Sequence, residues 1–192
     1  MSYTAKSFEH IIGIPGLSEK LLRDHITLYE GYVKNVNTIA ELAKTMEPGT
    51  PQSSEVRRRF GWEWDGMRLH ELYFGNLTKE DVERSVAPEL VKAIEGAFGS
   101  FDAWKTDIEK AAMMRGIGWV MLAKDTETGA LFTIWVNEHD GGHLVGTTPI
   151  IVLDVFEHAY MTDYGLKRAD YVDVALHAID WRVAEERFVT SC

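Results

Sequence analysis

Apolar residues recur every three or four positions early in the chain, at Leu22, Ile26, Tyr29, Val33, Val36, Ala40 and Ala43. That spacing keeps one face of an α-helix hydrophobic and predicts a single long helix. Ser18 stands where an N-cap belongs, and the stretch EPGTP, Glu47 to Pro51, supplies the Gly and Pro that stop a helix. An aromatic-rich piece, FGWEWDG, reads as irregular; a second helical pattern starts near Met67 and carries LHELYF. Two helices joined in this way predict an antiparallel hairpin. Helical patterning then continues through TKEDVERSV, which is short, APELVKAIEGAF, begun by Pro88, and FDAWKTDIEKAAMM, capped by Ser100 after Gly99.

The period changes at Gly116. GWVMLAK, DTETG and ALFTIWVN read as strand, turn and strand; after the loop EHDGGHLVG, TPIIVLDV reads as a third strand. Beyond Arg168 the pattern is helical again, in ADYVDVALHAI and DWRVAEERF. The predicted class is α+β: an N-terminal helical-hairpin domain, residues 1–85, and a C-terminal domain, residues 86–192, with a three-stranded antiparallel sheet surrounded by helices.

Composition narrows the function classes. No apolar run reaches the roughly 18–20 residues of a membrane span, and MSYTAKSFEH lacks a secretory or transit pattern. The single cysteine, Cys192, excludes a disulfide framework within the chain and points to a reducing compartment, the cytoplasm. A formal net charge of -10 disfavours nucleic acid and anionic membranes as partners; the run Arg57-Arg58-Arg59 reads as a solvated face.

The chemistry concentrates where an apolar strand ends in Asp154, with Glu157 and His158 close behind. Buried carboxylates and imidazoles cost free energy unless they are paired or ligate something. His25 shares a helix face with Tyr29 and Tyr32; His70 lies on the second helix, one turn before Tyr73 and Phe74. In a hairpin the two imidazoles can face each other, with Asp154 and His158 delivered by the strand end. Three imidazoles and a carboxylate suit iron, manganese, zinc or copper.

Several segments, in order, carry a resemblance. DVFEHAYMTDYGLKRADY is similar to the DVWEHAYY…DY…RPDY signature of the iron/manganese superoxide dismutases. AIDWRVAEERF resembles their NVVNW…RF ending, and FGSFDAWKTDIEKAA with RGIGWVML their FGS…GSGW segment. LHELYFGNL resembles NHxxFW, and HITLYEGYVKNVN the first-helix HxxxHHxxYVxNLN. The resemblance implies a mononuclear site for dismutation of superoxide, with His25, His70, Asp154 and His158 as metal ligands. It implies a homodimer, or a tetramer, in which Glu157 reaches the other subunit's copy of His158. Tyr32 becomes the gateway tyrosine. His139, in the loop Asn137–Asp140, is the expected partner of the metal-bound solvent, with two inserted residues in that loop and His143 as the fallback; Gly66, the other family position, has no side chain to serve.

The departures from the family pattern are local. His25 and Tyr32 are seven residues apart instead of eight, which implies a regular helix where the family has a bulge. Leu28-Tyr29 replaces a His pair and Met161 its tyrosine partner, implying a rebuilt substrate entrance. Phe156 and Phe74 replace tryptophans. Val152, two before Asp154, is bulkier than the Gly common in manganese members and favours iron, with manganese the other choice. Lys34 or Arg168 would draw in the anionic substrate. The alternatives are a metal-free structural or binding protein on the same fold, and a mononuclear iron enzyme of other chemistry.

Overall fold

A computed structural model describes residues 2–191. Helix α1 runs over Glu19–Thr45 and α2 over Pro51–Gly75, and the two form the expected hairpin. The side chain of Ser18 accepts from the Leu21 N–H and caps α1, as the sequence implied. No break interrupts α1, so the seven-residue step from His25 to Tyr32 puts both on one face.

Helix α2 corrects the sequence reading. It starts at Pro51, not near Met67, and FGWEWDG is helical throughout. Thr50 caps it and Pro51 opens its first turn. The misleading feature is the ring of aromatics and glycines: Phe60, Trp62 and Trp64 lie partly buried against the core and pay no heed to a single stripe. Tertiary contact outweighs the loss of about 1 kcal/mol that each helical glycine brings. The short helix expected in TKEDVERSV is likewise reduced to one 3₁₀ turn, Arg84–Val86.

The rest follows the predicted order. Helices α3 (Pro88–Phe98) and α4 (Phe101–Ala112) precede strands β1 (Gly118–Asp125), β2 (Leu131–Asn137) and β3 (Thr147–Asp154). Helices α5 (Met161–Tyr164), α6 (Arg168–His177) and α7 (Trp181–Thr190) complete the chain. The sheet is antiparallel in the order β2-β1-β3. Its middle strand is covered on both faces, which explains the unbroken apolar run WVML. Register sets Trp119 opposite Asp154. Asn76, at the end of α2, accepts the Val152 N–H at 2.8 Å and so ties the His70 helix to the Asp154 strand.

Candidate metal centre

His25 and His70 come from the facing sides of the hairpin, with ring centroids 5.0 Å apart. Asp154 is the last residue of β3, and His158 sits in the 3₁₀ turn Glu157–Ala159 that follows. The structure brings these four side chains together: one donor atom from each lies within 4.8 Å of all the others. Asp154 Oδ1 accepts the Phe156 N–H at 2.8 Å, and the Asp154 carbonyl accepts the Tyr171 hydroxyl at 2.7 Å. These bonds fix the carboxylate so that Oδ2 turns to the imidazoles, 3.1 Å from Nε2 of both His25 and His158 and 3.7 Å from Nε2 of His70. Three of the four residues are buried; the His158 side chain retains 27% exposure.

The protonation states suit metal binding. His70 Nδ1–H donates to the Gly66 carbonyl, so the neutral ring keeps its lone pair on Nε2. That nitrogen is sealed from solvent and has no hydrogen-bond partner. Burial pushes the His70 pKa well down and that of His25 down as well, keeping both rings neutral. Burial opposes ionisation of Asp154, but His158 and His25 beside it outweigh this and hold the carboxyl well below its ordinary range. A buried N₃O donor set with one orphaned nitrogen fits a transition-metal ion on its chemistry alone.

A second group adjoins the first. Tyr32 and His139 lie 2.7 Å apart through Oη and Nε2, and Tyr32 stacks on His70. The Trp119 indole N–H, which can only donate, meets His139 Nδ1 at 3.1 Å. Burial lowers the His139 pKa to about 4, so the ring is neutral. With Nδ1 accepting, the proton sits on Nε2 and is donated to the Tyr32 oxygen. The Tyr32 O–H is then left to donate elsewhere, and burial raises its pKa well above the ordinary value. A Cβ on Gly66 would come within 2.6 Å of the Tyr32 ring, so glycine there makes room for the tyrosine. Trp62 covers the pair, its ring 4.5 Å from His139, with its indole N–H donated to Glu138.

The remaining sequence expectations divide. His143 is outside this group: its Nε2 donates to the His139 carbonyl at 2.8 Å and braces the loop. Tyr29, paired with Leu28 as part of the entrance, is instead fully buried, and its hydroxyl donates to Glu71 while accepting the Lys6 N–H. Leu28 and Met161 are both exposed. Arg168 donates to the carbonyls of Met114 and Gly116, while Lys34 is exposed. Trp119 and Tyr171, which set the His139 tautomer and the Asp154 carbonyl, were not singled out from sequence. The tryptophan ending the quoted GIGW was the available signal for one; a strand tryptophan is otherwise ordinary core. Tyr171 closes the quoted stretch DVFEHAYMTDYGLKRADY, and that place in the motif was its signal.

The chain is similar to known proteins over most of its length. Residues 86–187 match the family model for the C-terminal domain of iron/manganese superoxide dismutases. A manganese superoxide dismutase of Haloferax volcanii is 37% identical over 179 residues, covering 91% of this chain and 88% of that protein. An iron superoxide dismutase of Cupriavidus metallidurans is 36% identical over 185 residues, covering 93% and 91%. One from Aquifex pyrophilus, also an iron enzyme, is 33% identical over 186 residues, covering 91% and 85%.

Proposed function

Since the chain belongs to the iron/manganese superoxide dismutase family, it converts superoxide to dioxygen and hydrogen peroxide, and we propose that His25, His70, Asp154 and His158 hold its metal ion. The observation that carries the ligand set is the lone nitrogen of His70, buried beside a fixed carboxylate with nothing to bond. A bound iron or manganese ion supplies the redox couple that takes an electron from one superoxide and passes it to another. The chain's own part is to orient, to exclude water and to manage protons. Phe74, Tyr73 and Trp119 wall the imidazoles. Forming one hydrogen peroxide consumes two protons, and Tyr32 is the proposed group that relays them one at a time through its free O–H, each proton being replaced from bulk water. His139 is the proposed second group: its Nε2–H bond to Tyr32 holds that hydroxyl in place.

We propose iron as the metal. Val152 is fully buried and shares the strand face of Asp154, which supports a site narrowed by an isopropyl group. The relatives include both iron and manganese enzymes. A homodimer belongs to the same reading, supported by the exposed Glu157 carboxylate beside the partly open His158. No described helix is long and apolar enough to cross a membrane. A cytoplasmic location is proposed as well, since a fold with one cysteine has no need of an oxidising compartment. The match beginning at residue 86 supports a division into residues 1–85 and 86–192.

The deciding experiment is anomalous scattering at the iron and manganese edges from crystals of the purified protein, with superoxide consumption measured on the same sample and its mass in solution by light scattering. Iron bonded to the four side chains, with activity, is expected. Manganese there would remove the iron assignment, and a metal on other residues the ligand assignment.

A further inference from the structure

One residue beyond His70, Glu71 faces a hollow of about 490 Å³ lined also by Lys6, Arg68 and Arg187. Three cations meet one carboxylate there, in a chain whose net charge is -10. Glu71 is already engaged: Lys6 Nζ at 3.0 Å and Arg68 Nη1 at 2.6 Å share Oε2, and the Tyr29 hydroxyl donates to Oε1 at 3.1 Å. Arg187 has no carboxylate partner among the described residues. Its Nη1 donates to the Ile150 carbonyl at 3.1 Å and to Asn76 Oδ1 at 3.3 Å, and its Nη2 to the Leu72 carbonyl at 2.9 Å. These neutral acceptors fix the guanidinium plane without offsetting its charge. The Nε–H has no acceptor among the described residues. A Cβ on Gly75 would come within 3.2 Å of Nη2, so a side chain there would crowd the fork against the end of α2. Burial accordingly draws the Arg187 pKa down to about 10. Charge drawn out of water is ordinarily balanced by a partner, and no carboxylate among the described residues pairs with this half-buried guanidinium.

We propose that this hollow binds a small oxyanion of the phosphate type, free or as the phosphoryl group of a larger metabolite. Arg187 holds a fixed guanidinium plane in the wall of the hollow, with its Nε–H and one Nη2–H uncommitted, a pair of donors of the kind that recognises such oxygens. Lys6 and Arg68 supply the remaining charge from the rim. A dianion balances three cations and Glu71, whereas a monoanion leaves one positive charge over. The volume exceeds one phosphate and admits a small attached group.

The test is thermal unfolding of the metal-loaded protein at fixed pH and ionic strength, in chloride, inorganic phosphate or glycerol phosphate. At about ten times its dissociation constant, phosphate should raise Tm over chloride by roughly 3–6 °C. A Lys6→Gln, Arg68→Gln double variant, compared with its own chloride baseline, should lose most of that rise. If that variant does not fold, Lys6→Gln alone, on an exposed side chain, should lose part of it. A larger rise with glycerol phosphate assigns the site to a metabolite, and an equal one to the free ion. No phosphate-specific rise, or an undiminished rise in the variants, overturns the proposal; the latter result would mean phosphate binds elsewhere, the metal included.

Discussion

His70 and Glu71 are neighbours on α2 and serve two polar clusters built to different rules. Around Glu71 the carboxylate is saturated, taking two cations and a tyrosine hydroxyl. Around His70 three imidazoles share one carboxylate oxygen, and a buried nitrogen goes without a partner. A carboxylate that serves the fold, as Glu71 does, is satisfied, because an unpaired buried donor or acceptor costs about 1–3 kcal/mol. A cluster that serves chemistry keeps a lone pair in reserve and bears that cost. The orphaned His70 nitrogen points to function because it lies beside a fixed carboxylate and two further imidazoles, which the equally orphaned Trp104 Nε1 and Thr133 Oγ1 do not.

The contrast can be broken most severely at His158. It is the least buried of the four, so His158→Ala should fold, yet metal per chain should fall from about one to near none and activity with it; stoichiometric metal in the variant would remove His158 from the ligand set. Gly66→Ala leaves every ligand intact but drives a methyl into the Tyr32 ring. Metal should be retained while activity falls about 10- to 100-fold through misplacement of the hydroxyl. Glu71→Ala should do the reverse, lowering stability by about 1–3 kcal/mol in urea unfolding with metal and activity kept. Loss of metal there would show that the two clusters are not independent.

The smallest effect is a pH slope. His139 has a folded pKa of about 4, against 6.5 ordinarily. The unfolded chain takes up the proton first, so the stability this neutral ring contributes is complete above about pH 6.5 and is lost as pH falls towards 4. His139→Gln should flatten part of that decline; an unchanged slope of unfolding midpoint against pH would assign the decline to other groups.

Much of this was legible in the chain. The strands were, because β1 is buried on both faces and β3 ends at a charged residue. The hairpin was, because α1 has one clean stripe and a serine cap. Helix α2 was misread because its aromatics answer to neighbours on several sides and Gly61 and Gly66 look like loop. One of those glycines is there for Tyr32, a reason that exists only in three dimensions. The proposed ligand histidines and His139 could be named by resemblance, but their protonation could not. That depends on a carbonyl one turn back for His70 and on an indole from β1 for His139. Tyr29 was assigned to the entrance by its position in a motif, whereas its hydroxyl belongs to the Glu71 cluster.

The hydrogen-bonding distance between His25 and Asp154 spans 129 positions of sequence. Synthesis runs from the amino end, so when residues 1–150 have been made the chain owns only His25 and His70 of the four. Two imidazoles on a hairpin are half of the proposed ligand set. The other half arrives with the end of β3, after that strand has paired with β1 and the turn at Glu157–Ala159 has closed. A site made of all four of these side chains therefore cannot exist before residue 158 has been made, and any metal held earlier would rest on two imidazoles alone.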